Sequence, residues 1–386
     1  MKSVFTYLTV LSMVFGIMAF ECSSAELTDA KSYIQQMQFD KAKESLLTEL
    51  RKNPTSDEGW YLLGYLYGEA NNVVRMTEAF EKSLSISKKF ASQISESVKY
   101  YWAISFNNGV SNFNKATIAS TKDSANMFYD KAVADFTHAI MLQPDSLASY
   151  TNLVYTYLNM NNVDEAIPVL EKAMTVASSP DVTVMLGQIY NEKGAKLMEH
   201  YQASKNVEDS VQSLEWYGKA INVLEKGRTK FPENGDILSR LLNAYIGAHK
   251  LDVATDAFRA GVEKEPKNKY YRYNYGVLLL NSNDYTGAET QFKKAVEIDP
   301  AYTNAIYNLA VTYLRWGTHL KEDMAATGNV TDAYKEKINL AIPMLEKYLT
   351  QNPKEPQIWE LLGRVYVHLG MQEKSEDAFK KADQYR

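Results

Sequence analysis

The most constraining feature of the sequence is a set of six prolines, each preceded at fixed distances by the same residue types. An alanine stands twelve residues before each proline and a large apolar residue stands eight before it. From Pro232 to Pro266 to Pro300 the period is 34 residues. A fixed period of this length is typical of a repeat protein, in which each unit buries its apolar face against its neighbours. The prolines, alanines and apolar residues are Pro54, Pro144, Pro232, Pro266, Pro300 and Pro353; Ala42, Ala132, Ala220, Ala254, Ala288 and Ala341; Leu46, Phe136, Leu224, Phe258, Phe292 and Leu345.

A second pattern marks the other half of the unit. Trp60, Leu63, Gly64 and Tyr67 have a spacing that recurs at residues 359, 362, 363 and 366. Small residues at helical spacing predict two helices that cross closely. Asparagine and glycine between the two patterns predict a helix end in the left-handed conformation, and proline then closes the unit. The turn residues are Asn71-Asn72, Asn161-Asn162, Asn283 and Gly370.

These motifs resemble the tetratricopeptide repeat, whose unit is a helix A, a turn and a helix B. The resemblance covers nearly all of residues 27–386. It implies an all-α fold, a right-handed α-α superhelical solenoid of about nine helix-turn-helix repeats. We expect one domain, with repeats over 27–54, 57–88, 95–144, 147–178, 180–232, 235–266, 269–300, 303–353 and 356–386.

Three of these repeats, 95–144, 180–232 and 303–353, are longer than the others. Each has a glycine where the turn between helices A and B should begin, and helix-like sequence then continues. We therefore expect extended A and B helices joined by a loop beyond the normal turn. Two interpretations stay open: tolerated surface insertions, or projections from one face that form a docking ridge. The glycines are Gly109, Gly194 and Gly317.

The N-terminus has the pattern of an export signal. Lys2 precedes an uncharged, mostly apolar run from Val4 to Phe20, and small residues follow. This pattern predicts a signal peptide over residues 1–25. The alternative is a lipoprotein signal that ends before Cys22, the single cysteine, with that residue acylated. We expect an exported protein of the periplasm or cell envelope, in contact with a membrane only through a lipid on Cys22.

Composition gives little support for other function classes. The formal net charge is −5, which gives no reason to expect a nucleic-acid partner. The five histidines include no pair at metal-ligand spacing, and no phosphate-binding glycine loop or G-x-S-x-G motif occurs. We therefore expect no enzyme activity, no cofactor and no metal.

The resemblance implies that helix A residues line a concave groove that binds a protein or peptide. Asparagine can hold a peptide main chain through its donor and acceptor, and tyrosine offers flat contact area. We expect a protein-binding scaffold of the cell envelope; the alternative is a glycan- or peptidoglycan-binding subunit that uses groove tyrosines. The groove offsets give Tyr61, Tyr65, Lys99, Asn152, Tyr155, Asn159, Gln188, Arg240, Asn243, Tyr273, Asn274, Asn281, Tyr307, Asn308, Arg315 and Arg364.

One specialised activity of the family is not expected. Chaperone-binding members grip a C-terminal carboxylate with basic residues and asparagines at fixed groove positions. Lys99 and Asn152 match two of these positions, but Ala103, Asp181 and Met185 stand where the grip needs polar or basic residues.

Overall fold

A computed structural model describes residues 24–327 and 331–386, and these residues form helices and no strands. The predicted all-α solenoid fold is confirmed. The described residues contain eighteen helices, which follow one another as nine A and B pairs. Residues 1–23 lie outside the described part, and with them Cys22 and most of the predicted signal segment.

The chain divides into two compact units, where the sequence suggests a single domain. The N-terminal unit ends at Ser178 and the C-terminal unit begins at Ser179. The helices of the N-terminal unit are α1 (Ala25–Gln35), α2 (Phe39–Lys52), α3 (Asp57–Glu69), α4 (Val73–Ile86), α5 (Ala91–Thr117), α6 (Lys122–Leu142), α7 (Leu147–Asn159) and α8 (Val163–Val176). The helices of the C-terminal unit are α9 (Pro180–Ser204), α10 (Val207–Lys230), α11 (Gly235–Gly247), α12 (Leu251–Lys264), α13 (Lys269–Asn281), α14 (Tyr285–Ile298), α15 (Thr303–Thr327), α16 (Ala333–Gln351), α17 (Pro356–His368) and α18 (Gln372–Gln384).

The turns between A and B helices use the predicted left-handed residues. Asn71, Asn161 and Asn283 have φ of 54°, 61° and 62°, and Gly370 has φ of 73°. Met37 and His249 take the same conformation in the first and sixth pairs, at 57° and 56°. Methionine is an uncommon residue type at positive φ, whereas histidine, like asparagine, is among the types enriched there.

The periodic alanines and apolar residues form the core of each unit. In the N-terminal unit Ala132 and Phe136 of α6 are completely buried and pack with Leu153 of α7. In the C-terminal unit Ala288 and Phe292 of α14 are also completely buried, in a cluster that continues to Ala378. Close packing at these positions holds the A and B helices together.

The three long repeats are pairs of long helices, α5 with α6, α9 with α10 and α15 with α16. The glycines at their expected turns lie inside the A helices and serve the helix crossing instead. A Cβ on Gly109 would meet the Phe136 ring at 2.7 Å, and one on Gly317 would meet Ile338 at 2.6 Å. The extensions pack as helices too: the Ser213 hydroxyl donates to the Gly194 carbonyl at 2.7 Å.

Candidate functional site

The sixteen predicted groove residues differ in how accessible they are. The exposed ones are Lys99, Tyr155, Asn159, Gln188, Asn243, Asn281, Arg315 and Arg364. The half-buried ones are Asn152, Arg240, Tyr273, Tyr307 and Asn308. The buried ones are Tyr61, Tyr65 and Asn274.

The placement of Tyr61 and Tyr65 on an open groove needs correction. The Tyr61 side chain is 3% exposed, and its ring stacks on Phe90 at 4.8 Å with an interplanar angle of 8°. Phe90 comes from the segment that joins α4 to α5. Tyr65 belongs to the same buried cluster. Both tyrosines therefore contribute to the core of the N-terminal unit, and the linker residue Phe90 covers Tyr61.

The predicted residues of the C-terminal unit are joined by contacts between successive A helices. One Arg240 Nη of α11 donates to the Gln188 Oε1 of α9 at 2.8 Å. Asn191, one turn further along α9, donates its Nδ2 to the Arg240 carbonyl at 2.9 Å. Within the part of the chain that the structure describes, two buried atoms here lack hydrogen-bond partners: Arg240 Nε, a donor, and Asn191 Oδ1, an acceptor.

Asn274 of α13 occupies the position that corresponds to Arg240, 34 residues later. Its side chain is 1% exposed, and its Nδ2 donates to the Tyr270 carbonyl at 2.8 Å. Asn274 Oδ1 has no partner among the described residues. A buried amide oxygen without a donor costs about 1–3 kcal/mol, so Asn274 has an unused acceptor at the position expected for a ligand contact.

Asn308 of α15 follows Asn274 by another 34 residues. Its Nδ2 donates to the Tyr273 hydroxyl at 2.9 Å. The Tyr273 ring packs on Tyr302 with centroids 5.3 Å apart. Burial raises the pKa of Tyr273, so its hydroxyl stays neutral and can both donate and accept. We name the set Asn191, Arg240, Asn274 and Asn308 the polar row.

A charged pair lies beside the tyrosines. Lys269 Nζ lies 2.6 Å from Asp299 Oδ2, and the same ammonium lies 5.0 Å from the Tyr270 ring centre and 5.1 Å from that of Tyr302. The hydrogen bond to Asp299 raises the pKa of Lys269. The ammonium therefore covers the two rings as a charged group.

The predicted groove positions leave out two residues of this surface, Asn191 and Tyr302. Asn191 lies one helical turn beyond Gln188, at an offset outside the predicted groove set. Tyr302 lies in the link after Pro300, outside any A helix. Asn191 would be predicted from one further position on helix A, and Tyr302 would be predicted only if the links between repeats were also considered.

Asn152 and Asn159 of α7 make the same local hydrogen bond as Asn274. Each donates its Nδ2 at 2.8 Å to the carbonyl four residues before it, in Asn152 to Ala148 and in Asn159 to Tyr155. Asn159 is exposed and Asn152 half-buried. Only Asn274 among these three has its side-chain oxygen buried without a partner in the described structure.

The described residues contain no group of three or more histidine, cysteine or acidic side chains placed to hold a metal ion. None of their helices combines the length and apolar character needed to cross a membrane.

Comparison with known proteins identifies the repeats. Two models of the tetratricopeptide repeat match, one over residues 239–303 and 332–386 and another over 147–180. The TPR repeat-containing protein MJ1428 of Methanocaldococcus jannaschii is 21% identical over 299 residues, which is 66% of this chain and 53% of that protein. The human protein O-mannosyl-transferase TMTC3 is 23% identical over 47% of this chain and 20% of its own length. The chain thus spans about half of the archaeal relative and a fifth of the human one.

Solved structures with a similar fold include a crystal structure of MamA, which is 19% identical, covers 47% of this chain and 94% of MamA, and has a TM-score of 0.35. YrrB, titled a TPR protein with an unusual peptide-binding site, is 22% identical, covers 61% of this chain and 97% of YrrB, and has a TM-score of 0.33. These two structures share the helical fold alone. The chain therefore carries tetratricopeptide repeats, matched over residues 147–180, 239–303 and 332–386, on an α-solenoid fold.

Proposed function

We propose that the protein is a binding scaffold whose polar row holds the main chain of a partner peptide. The observation that carries this proposal is Asn274, whose side chain is 1% exposed and whose Oδ1 has no partner among the described residues. Because this oxygen is buried, a peptide N–H can reach it only after the side chains that cover it move, and the new bond would then recover the cost of the unpaired acceptor. Arg240 Nε offers a donor to a peptide carbonyl at the corresponding position of α11.

The chemistry of the polar row suits binding better than catalysis. Amide side chains do not titrate, an arginine guanidinium stays charged, and the Tyr273 pKa is raised by burial. None of these groups exchanges a proton near neutral pH, which general acid–base catalysis would need. A scaffold role without turnover is therefore the function that these residues support.

The glycan alternative is less well supported by the tyrosines. Stacking on a sugar requires an open ring face. The Tyr270 and Tyr302 rings pack edge to face at 5.8 Å, and Lys269 lies over both. Tyr273 is packed between Tyr302 and Phe292. We therefore prefer a peptide over a glycan as the partner.

We also propose that the protein works in the cell envelope and that its leader is removed upstream of Ser24. The signal-like sequence of residues 1–23 motivates the first part. The second part rests on Ser24, whose Oγ accepts from the Leu27 N–H at 3.1 Å and so caps α1. Cleavage before Glu26 would remove this cap, whereas cleavage before Cys22 would keep it. Mass spectrometry of the mature N-terminus tests this proposal, and a chain that begins at Glu26 contradicts it.

Site-specific photo-crosslinking tests the peptide-binding proposal. A crosslinking amino acid replaces Asn243 or Asn281, two exposed residues on the A helices of the polar row, and in the control replaces Thr290, exposed on a B helix. We expect both groove positions to crosslink one and the same envelope protein, and Thr290 not to do so. Equal crosslinking from Thr290, or no product from either groove position, would contradict peptide binding at the polar row.

A further inference from the structure

Two helix pairs of the C-terminal unit share one register, the seventh pair (α13 with α14) and the ninth pair (α17 with α18). Both α13 and α14 begin 87 residues before their counterparts α17 and α18. Pro266, three residues before α13, likewise stands 87 residues before Pro353. Each residue of the seventh pair can therefore be compared with the residue 87 positions later.

In the ninth pair, a tryptophan and a neutralised lysine line a cavity of about 480 Å³ between α16, α17 and α18. Trp359 Nε1 donates to the Pro353 carbonyl at 2.8 Å. Lys381 Nζ lies 4.6 Å from the Trp359 ring centre and 2.9 Å from Asp377 Oδ2. The lysine of this cavity thus has an acidic partner four residues before it.

The second pair (α3 with α4) carries the same residue types. Trp60 Nε1 donates to the Pro54 carbonyl at 3.0 Å. Glu78 stands four residues before Lys82, at the spacing of Asp377 and Lys381. Tryptophan with an acid and a lysine is therefore the ordinary set at this place in a repeat of this chain.

The seventh pair has an arginine, Arg272, in place of the tryptophan. Its Nε donates to the Pro266 carbonyl at 3.2 Å, as the indole nitrogen does in the other two pairs. Its Nη1 donates to Gln291 Oε1 at 2.9 Å, and Gln291 replaces a buried alanine, Ala378. The Arg272 side chain is only 8% exposed, and both of its acceptors are neutral.

No carboxylate in the described part of the chain offsets the charge of Arg272. Burial alone lowers the pKa of this guanidinium. A buried charge without a counter-charge is costly, because desolvation is not repaid by attraction to a partner. A bound anion would therefore stabilise this position.

The surrounding positions also change from acidic to basic or neutral. The cavity of the ninth pair is lined by three acids and two lysines, a formal charge of −1. The corresponding positions of the seventh pair carry three cations and one acid, a formal charge of +2. The acids Glu346, Glu373 and Asp377 are replaced by Arg259, Thr286 and Thr290; Lys374 and Lys381 correspond to Gly287 and Lys294; Thr350 and Trp359 correspond to Glu263 and Arg272.

Two of these three cations have no acidic partner within the described residues. Arg259 pairs with Asp256 on its own helix. Lys294 is exposed and has Thr290, not an acid, four residues before it. Glu263, the acid among these positions, forms no ion pair with Arg272 or Lys294 in the described structure. Arg272 and Lys294 are thus left as a pair of unneutralised cations.

We propose that Arg272 and Lys294 bind a small phosphate dianion, inorganic phosphate or a phosphomonoester, between α13 and α14. A guanidinium offers paired donors that match phosphate oxygens, and a lysine adds a point charge. A phosphomonoester carries a charge of about −1.5 to −2 at pH 7, which matches two cations, whereas a carboxylate would leave one of them unpaired. This site is separate from the polar row, and the proposal does not depend on peptide binding.

Isothermal titration calorimetry of the purified protein at pH 8 and constant ionic strength tests the site. The probes are inorganic phosphate, phenyl phosphate as a phosphomonoester, and acetate as a carboxylate. The double variant Arg272→Trp with Gln291→Ala restores the residues of the ninth pair and keeps a donor for the Pro266 carbonyl. Lys294→Ala removes the second cation, and Lys82→Ala, its counterpart in the second pair, is the matched control.

We expect phosphate or phenyl phosphate to bind the parent with a dissociation constant of about 1 mM or lower, and acetate to bind at least about ten-fold more weakly. Tighter binding of phosphate would identify the free anion as the ligand, and tighter binding of phenyl phosphate would identify an ester. Lys294→Ala should weaken binding by about ten-fold or more, and Lys82→Ala should leave it unchanged.

The double variant should bind neither phosphate, while its midpoint of urea unfolding should equal or exceed that of the parent, because a buried charge is replaced by an aromatic ring. This pair of results separates lost binding from lost folding. Thr290→Glu, a change on an exposed helix position, gives a second check: it restores the acid of the other pairs and should weaken binding by about ten-fold or more.

Three results would overturn the proposal. The first is that neither phosphate binds the parent more tightly than it binds the double variant. The second is that acetate binds as tightly as phosphate. The third is that Lys82→Ala and Lys294→Ala lose the same affinity, which would show that binding reflects general surface charge.

Discussion

The hydroxyl of Ser24 donates a hydrogen bond to the carboxylate of Glu49, a side chain in the last turn of α2 that is only 3% exposed. The same hydroxyl oxygen accepts from the Leu27 N–H and caps α1. The Ser24 side chain thus caps the first helix and also donates a hydrogen bond to a buried carboxylate. The other Glu49 oxygen accepts from Asn53 Nδ2 at 3.4 Å, a long bond.

Replacement of Ser24 by alanine should lower the stability of the first repeat by about 1–2 kcal/mol, because the cap is lost and Glu49 loses its shorter hydrogen bond. Hydrogen exchange of the α1 and α2 amides measures the effect locally. Ser32→Ala, an exposed serine of the same helix, is the control and should change exchange little. Equal exchange in Ser24→Ala and the parent would show that the cap is not formed in solution.

Two glycines of the long α9–α10 pair should respond to alanine in opposite directions. A Cβ on Gly187 of α9 would meet Leu224 at 2.5 Å, whereas one on Gly218 of α10 would meet nothing within 4 Å. Gly187→Ala should destabilise by about 1–3 kcal/mol through overpacking. Gly218→Ala should stabilise by about 0.5–1 kcal/mol, because alanine is the better helix former. Urea unfolding followed by circular dichroism measures the free energy of unfolding of both variants. Changes of the same sign in the two variants would contradict the packing at this crossing.

The turn after α13 depends on the left-handed conformation of Asn283, whose φ is 62°. Asn283→Val should destabilise by about 1–2 kcal/mol, because a branched side chain is strained there. Asn283→Gly should stay within about 0.5 kcal/mol of the parent, since relief of strain is offset by greater freedom of the unfolded chain. Asn281→Val, two residues earlier and within the helix, is the control, and thermal unfolding measures the stability of each variant. Equal losses of stability in Asn281→Val and Asn283→Val would show that the left-handed φ of Asn283 does not matter.

Alkaline pH should weaken the N-terminal unit through Tyr61. Burial first, and then the nearby carboxylates of Glu96 and Glu58, raise the pKa of Tyr61 from 10.0 to about 12. A raised folded pKa gives stability that is complete below the unfolded pKa of 10 and is lost as the pH rises from 10 to 12. Urea unfolding at pH 9 and 11 should therefore show a larger loss for the parent than for Tyr61→Phe. Tyr155→Phe, where the tyrosine is 48% exposed, should behave as the parent does.

The sequence predicts the fold well because the signals that set it are local. Ala132 and Phe136 mark a helix crossing in any repeat of this kind, and Asn161 or Asn283 marks a turn without reference to the rest of the chain. The accessibility of the groove residues depends instead on what covers them. Tyr61 has a groove offset, but Phe90 from the link between repeats stacks on it.

Asn274 is a second residue whose burial the sequence does not predict. Its offset alone does not distinguish it from Asn152, which occupies the corresponding place in α7. Both donate their Nδ2 to the carbonyl four residues earlier. The structure adds that Asn274 is buried and that its oxygen has no partner in the described residues, whereas Asn152 is half-buried. That difference comes from neighbouring helices and carries the proposed function.

The bond between Asn308 and Tyr273 gives the last prediction, because it joins α15 to α13 across the polar row at 2.9 Å. Tyr273→Phe removes the acceptor and keeps the ring, so it should cost about 0.5–1.5 kcal/mol of unfolding free energy. Asn308→Ala removes the donor, and the double variant should cost less than the sum of the two single changes by about the energy of one hydrogen bond. Chemical unfolding of the four proteins yields this coupling energy. A coupling near zero would mean that the two side chains do not bind each other in solution, and that both are free to meet a ligand separately.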